Sequence, residues 1–262
     1  MPATTEDALQ GVGVLVTRPR AQAFDLVSAI EGAGGTAFCF PVIDIAALDE
    51  NAVAADAAAL PEPDLVIFVS RNAVEYGLRY TGSGKVAAIG PATAAAIQAA
   101  GHLVDVQPAK GFDSEHLLEE AALQDVAGRV VRIIRGKGGR ELLADELTAR
   151  GATVDYLSVY ERRLPVVSAQ MLADVEARWR RGDIAAVTVM SAQSLVNLVQ
   201  LLPDWCVRQL ESTPLVTPSG RVAKEALDRY PASRPILASG PRASDIVEAI
   251  IALINADRGP AS

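Results

Sequence analysis

The sequence predicts an α/β fold made of two similar domains, each a parallel sheet flanked by helices. Two observations carry this reading: strand-like and helix-like segments alternate along the whole chain, and one stretch occurs twice. The stretch runs from Gly128 to Arg163, GRVVRIIRGKGGRELLADELTARGATVDYLSVYERR. Val130 to Ile134 is β-branched, Gly136, Gly138 and Gly139 crowd a turn, and Leu142, Leu143 and Leu147 recur at helical spacing. Gly151 stops that helix, and Thr153 to Tyr160 is β-prone again. The same plan occupies Gly11 to Ile45. Laying Gly128 on Gly11 matches Arg135 to Arg18, Leu147 to Ile30, Gly151 to Gly34 and Thr153 to Thr36 without a gap. At one position the copies differ in kind, because Ile43 of the first becomes Tyr160 of the second.

The remaining elements follow in order. Ala46 to Leu60 is Ala-rich and reads as a helix closed by Pro61 and Pro63. Asp64 to Val69 is a continuous apolar run, as a parallel strand covered on both faces requires. It opens into SRNAVEYGL, where Ser70 or Asn72 can cap a helix. Lys85 to Ile89 is a short strand, Gly90-Pro91-Ala92-Thr93 turns it into the helix Ala94 to Ala100, and Leu103 to Val106 is a further strand. Gly111-Phe112-Asp113-Ser114 then leads into a helix over Glu115 to Leu123. The second half repeats this order: strand Ile184 to Val189, a helix through Leu201, strand Leu215-Val216, a helix to about Asp228 and strand Ile236 to Ala238 before the last helix. Ser191 falls on Ser70 and Gly240 on Gly111, so the insertions lie in loops. The fold class is Rossmann- or flavodoxin-like.

Composition narrows the partners. Of 262 residues, 50% are hydrophobic and 21% charged, which is ample for two cores. A net charge of −8 argues against nucleic acid, whose binders carry a basic face. It still leaves room for an anionic small molecule held by local arginines and backbone amides. Cys39 and Cys206 are far apart and read as reduced thiols. The start MPATTEDALQ lacks the regions of a signal peptide, and Ile246 to Ile254 is too short for a bilayer, so a soluble cytoplasmic protein with no membrane partner is expected.

In such sheets, ligands bind beyond the carboxyl ends of the strands. The loops expected there are Thr17-Arg18-Pro19, Ser70-Arg71-Asn72, Gly90-Pro91-Ala92-Thr93 and Gly111 to Ser114. The second copy supplies Arg135-Gly136-Lys137-Gly138, Ser191-Ala192-Gln193-Ser194, Thr217-Pro218-Ser219-Gly220 and Gly240-Pro241-Arg242. Six of the eight join free N–H groups at a helix start to a hydroxyl, although singly such a loop is more often just a cap. Eight of them point to an anion-binding cleft between the halves. The usual catalytic sets are missing. The two histidines, His102 and His116, flank no nucleophile, and with two scattered cysteines they assemble no metal site. No Walker A pattern, dinucleotide fingerprint or nucleophile elbow is present. Tyr160 remains. Its repeat mate shows that an aliphatic residue fits the position, and a phenol can donate a proton. Arg162 and Arg163 beside it read as solvent-facing, with either able to attract an anion.

These residues together resemble the uroporphyrinogen-III synthase family over nearly the whole chain. The matching features are V-T-R-P, V-S-R-N-A-V, A-I-G-P-A-T-A-A-A-I, I-I-R-G-K-G-G-R-E-L-L, V-D-Y-L-S-V-Y-E-R-R and a final S-D-I-V-E-A-I, specific in their order and spacing. The resemblance implies that the first strand–helix unit crosses over. Residues 1–38 would pack with 164–262, residues 46–156 would form the second domain, and 39–45 and 157–163 would be the strands of a two-stranded linker. Pro41 and the charges at Glu161, Arg162 and Arg163 suit an exposed ribbon.

It also implies a reaction. The family's substrate is hydroxymethylbilane, a linear tetrapyrrole with eight carboxylates, which loses its terminal hydroxyl as water and closes with ring D inverted. The pyrroles expel the hydroxyl themselves, so the resemblance implies no metal and no cofactor; catalysis is mainly positioning. Tyr160 matches the family's tyrosine in the second linker and is the acid candidate. Thr17, Ser70, Thr93, Ser191 and Ser194 match cleft positions that hold carboxylates, with Arg18, Arg71, Asn72, Gly90, Arg135, Gly136 and Ala192 in the same loops. Thr217 to Arg221 departs from the family's I-G-P-x-T, leaving Ser219 and Arg221 as stand-ins, and Ala92 replaces a residue often charged. A monomer is expected, since each half covers its own sheet, with a transient hand-over of substrate from hydroxymethylbilane synthase. The competing reading is a non-catalytic two-lobed receptor for an anionic tetrapyrrole or other small molecule.

Overall fold

The computed structural model describes residues 7–258. The chain start through Glu6 and its last four residues lie outside them, and with these the ends of the expected 1–38 and 164–262 segments. The chain divides into two compact units, one taking it up to Asp44 and again from Arg163, the other Ile45–Arg162.

In the first unit, β1 (Gly13–Val16), α1 (Phe24–Gly32) and β2 (Thr36–Cys39) are the opening strand–helix–strand. Leu26 and Ile30 are the buried residues of α1, and Gly34 makes the turn after it in a left-handed conformation (φ 81°) that favours glycine. This piece pairs with the late strands of the chain. The sheet adds β8 (Ala186–Thr188), β9 (Pro214–Thr217) and β10 (Arg234–Leu237) in the order β10-β9-β8-β1-β2. The pairs β1–β2, β1–β8, β8–β9 and β9–β10 are all parallel. Helices α8 (Ala169–Arg181), α9 (Ala192–Leu201), α10 (Asp204–Ser212), α11 (Gly220–Arg229) and α12 (Ala243–Arg258) complete the unit. The crossed-over first piece is therefore present.

The second unit repeats the plan. Its sheet contains β3 (Asp44–Ala47), β4 (Leu65–Phe68), β5 (Lys85–Ala88), β6 (Val130–Gly136) and β7 (Thr153–Arg163) in the order β3-β7-β6-β4-β5. The pairs β4–β5, β4–β6 and β6–β7 are parallel, so β6 lies between β7 and β4 as β1 lies between β2 and β8 in the other sheet. Its helices are α2 (Glu50–Ala59), α3 (Arg71–Gly77), α4 (Pro91–Ala99), α5 (Ser114–Glu119), α6 (Ala121–Gln124) and α7 (Leu142–Ala149). The two faces of this sheet feed two buried clusters: Val66, Phe68, Ile134 and Leu157 on one, Leu65, Ile67, Val131 and Ile133 on the other. The apolar run of β4 is buried on both faces, as its sequence requires. The chain passes between the units within β3 and at the end of β7, and these two strands are neighbours.

Several elements differ from the sequence reading. Ala46 and Ala47 belong to β3, and the helix begins only after Asp49, whose carboxylate accepts the Ala52 N–H at 2.9 Å. Leu103 to Val106 is no strand: Val106 makes a single bridge to Ala87, and Leu103 is 83% exposed. The Asp105 carboxylate takes the Val86 N–H at 2.7 Å, the donor that a neighbouring strand would have used. The helix expected over Glu115 to Leu123 breaks at Glu120, which is extended and whose carboxylate accepts the Ala109 N–H. The stretch 157–163 is not simply an exposed ribbon. Leu157, Val159 and Tyr160 are buried, and only Arg162 and Arg163 lie open. Helices α8 and α10 have no counterpart in the sequence reading.

Candidate functional site

In the Ile45–Arg162 unit the chain leaves β6 outward through β7 and leaves β4 outward through β5, so the crevice beyond β4 and β6 is a topological switch point. A pocket of about 330 Å³ opens there. Its apolar wall is Val69, Ile89, Ile133 and Leu143, and its polar wall is Arg135, Gly136, Gly138, Gly139, Arg140, Ser114, Tyr156, Tyr160 and Arg162.

Tyr160 reaches this place through a break in register. Arg135 lies opposite Ser158 and Gly136 opposite Tyr160, so Val159 is an extra residue in β7. Strict alternation would send Val159 and Tyr160 to opposite faces. Instead both join Leu157 in one buried cluster. The Tyr160 ring is 1% exposed, and its centroid lies 6.1 Å from that of Tyr76 on α3. The phenol oxygen is 3.1 Å from Ser70 Oγ and accepts from Arg162 Nη2 at 3.4 Å. Ser70 caps α3, its Oγ accepting the Ala73 N–H at 3.0 Å. Two hydroxyls in contact, one of them beside a guanidinium, form a short array along which a proton can pass in either direction.

Arg135 is 7% exposed and its guanidinium organises the turn after β6. Nε donates to the Gly138 carbonyl at 3.1 Å, Nη1 donates to the Arg140 carbonyl and to Glu141, and the plane lies 4.5 Å from the Tyr156 ring centre. Burial, with the Glu141 carboxylate next to it, pushes the Tyr156 phenol up to about 12, so it stays protonated at neutral pH. Arg140, at the rim, is ion-paired with Glu115. Tyr156, Arg140 and Glu141 were not singled out from sequence. The available signal was an arginine and a glutamate flanking a glycine turn, with a second tyrosine on the strand of the first.

The other expected residues are placed as follows. Arg71 is exposed and Asn72 half-buried at the start of α3. Gly90 caps α4 beside Phe112, and Thr93 is buried in the first turn of that helix. The remaining residues lie in the other unit, around its own switch point between β1 and β8. The buried Thr17 hydroxyl donates to the Thr188 carbonyl at 2.6 Å, tying those two strands together. Arg18 donates to the Pro241 carbonyl at 2.7 Å. Ser191 caps α9, its Oγ accepting the Ser194 N–H and lying 2.8 Å from Ser194 Oγ, with Ala192 next to it. Ser219 caps α11, and Arg221 is exposed. Hence the structure brings Arg135, Gly136 and Tyr160 to one pocket, with Ser70 on the Tyr160 phenol, and places Thr17, Arg18, Ser191 and Ser194 in the other unit. Among the described residues, no group of His, Cys, Asp and Glu side chains is placed to hold a metal. No helix among them is long and apolar enough to cross a membrane.

The family description Uroporphyrinogen-III synthase HemD matches residues 25–248. The chain belongs to the uroporphyrinogen-III synthase family. It is 34% identical over 203 residues to the uroporphyrinogen-III synthase of Salmonella typhimurium, covering 74% of this chain and 81% of that one. The relation to the Escherichia coli uroporphyrinogen-III synthase has the same identity and coverage. In fold the chain is similar to the uroporphyrinogen-III synthetase of Helicobacter pylori, with a TM-score of 0.62, 13% identity and coverage of 92% of this chain and 99% of that one. It is also similar to a mutant uroporphyrinogen III synthase of Thermus thermophilus, with a TM-score of 0.55, 21% identity and coverage of 93% and 99%. In this family member Ser70, Tyr160 and Arg162 form a hydroxyl array at the carboxyl ends of β4 and β7.

Proposed function

We propose that this protein is a hydro-lyase that cyclises hydroxymethylbilane to uroporphyrinogen III. The observation that carries the reading, beyond family membership, is the Ser70–Tyr160–Arg162 array beyond the carboxyl ends of β4 and β6. In the reaction, the electron pair of the terminal pyrrole nitrogen drives out the hydroxyl of the hydroxymethyl group, and the C–O bond breaks. The Tyr160 phenol gives its proton to the departing oxygen, which leaves as water. Ser70 Oγ donates a hydrogen bond to the phenolate and keeps its proton, and Arg162 stabilises the negative charge while it lasts.

The electrophilic azafulvene that remains is attacked by ring D at its substituted carbon. The resulting spiro intermediate fragments and recloses with ring D inverted, and the proton released as the ring regains aromaticity restores the donor. None of these later steps needs a strong nucleophile. They need the chain of pyrroles held in one folded arrangement, because the linear substrate can also close unaided to the uninverted isomer. Supplying enzymatically made hydroxymethylbilane and separating the oxidised uroporphyrins tests this. Isomer III in place of isomer I supports the reading, and isomer I alone from folded protein overturns it.

A further inference from the structure

The turn after β6 contains a feature that the proton array does not use. Arg135 is more than nine-tenths buried, yet one of its two terminal nitrogens is uncommitted. Nε and Nη1 are taken by Gly138, Arg140 and Glu141, whereas Nη2 has no hydrogen-bond partner among the described residues. Gly139 keeps it clear: a Cβ there would lie 2.8 Å from Nη2, and the residue's φ of 121° also disfavours a side chain. Arg135 lines the 330 Å³ pocket, whose other wall is apolar, from Ile89, Ile133 and Leu143. A cation on one side and aliphatic groups on the other suit a small flat ring with a carboxylate arm. The volume admits one such ring and not four.

We propose that this pocket binds a single carboxylate-bearing pyrrole ring of the substrate, with the carboxylate on Arg135 Nη2 and the ring against Ile89 and Leu143. The assignment rests on the cyclising reading for the identity of the ring, while the pocket itself can be probed separately. The probe is porphobilinogen, one pyrrole carrying one acetate and one propionate, titrated into the full chain while the Gly138 and Gly139 amide resonances are followed. A saturable shift is expected, with inorganic phosphate binding far more weakly because it leaves the apolar wall unused. Arg135→Lys keeps the charge but loses the second nitrogen, and is expected to weaken binding about tenfold. Because that variant disturbs the turn, Ile89→Trp, which fills the apolar side, is expected to weaken binding as well. No saturable shift at the two glycines, phosphate binding as tightly as the pyrrole, or unchanged binding by a folded Ile89→Trp protein would each overturn the proposal. Isomer III formation without the shift would sink the subsite and leave the reaction standing. The shift with isomer I alone would do the reverse.

Discussion

Gly136 and Tyr160 face each other across β6 and β7, and the ring occupies the space that a side chain at 136 would fill. A Cβ on residue 136 would lie 2.6 Å from Tyr160 Cε2. The glycine that the sequence places in a turn is thus the floor under the phenol. Gly136→Ala must push the ring away from Ser70 or strain the bulge. We expect a loss of about 1–3 kcal/mol in denaturant unfolding, together with slower turnover. Unchanged stability would show that the ring relocates freely.

Ser70 has two partners, the Ala73 N–H of α3 and the Tyr160 phenol. Ser70→Ala removes both. Loss of a helix cap costs about 1 kcal/mol, readable as a lower unfolding midpoint. In addition, kcat should fall while KM changes little, since the hydroxyl serves the departing group rather than substrate binding. Ser70→Thr, which restores cap and hydroxyl, should recover both; failure to recover kcat would argue that Ser70 is only a cap.

Arg132 and Asp155 pair within the sheet, Nε to carboxylate at 2.8 Å, with side chains 5% and 11% exposed. Arg132 also donates to the Pro61 carbonyl at 2.7 Å. Asp155→Ala leaves a buried cation without its counter-charge and is expected to cost about 3–5 kcal/mol. The double change Arg132→Met with Asp155→Leu should recover much of that loss, measured as a double-mutant cycle in urea. Additive losses would contradict the pairing.

His116 and Asp113 form an ion pair at the start of α5, at 2.6 Å. The hydrogen bond to Asp113 raises His116, and hydrogen bonds from the His116 backbone N–H and then its ring lower Asp113. The raised imidazole contributes stability that is complete below its unfolded value of about 6.5 and is lost as pH rises through its higher folded value. The lowered carboxyl contributes stability that is complete above its unfolded value of about 3.9 and is lost as pH falls through its lower folded value. Both contributions are full between those limits. Thermal melts of the wild type and of His116→Gln should therefore differ most near pH 5 to 6 and converge above neutrality (limits from the same reference values, about 3.9 and 6.5). A difference that persists unchanged to pH 9 would contradict the pair.

Much of this molecule was legible in its sequence because two rules were obeyed closely. The apolar run of β4 reads as a doubly covered strand and is one, and the glycines after α1 and α7 mark the helix ends where their backbone turns left-handed. The duplication was visible because Gly34 and Gly151 must make the same turn. Where a polar side chain replaced a backbone partner, the reading failed. Asp105 takes the N–H that would have extended a strand at Leu103 to Val106, and Glu120 breaks a helix whose composition favoured it.

The site shows the same limit. Tyr160 stood out because its repeat mate is Ile43, yet alternation along β7 gives no hint that the extra Val159 carries the ring onto the α3 face, where Ser70 waits. A bulge is a property of the pairing, not of either strand alone. Arg135 was picked out as one of several anion-binding loop residues. That two of its nitrogens are consumed by its own turn, and a third is not, depends on where the chain bends between Gly138 and Glu141.

Formation of isomer III and proton donation by the Tyr160 phenol are tested together by one assay. Hydroxymethylbilane is generated in place and the rate and isomer of uroporphyrinogen are measured for the wild type and for Tyr160→Phe, which keeps the buried ring and removes only the hydroxyl. Isomer III is expected from both proteins, with turnover about 10- to 100-fold slower in the variant, the range of a single acid group assisting a leaving group that is already activated. Isomer I alone from the wild type, or a variant as fast as the wild type, would contradict that expectation.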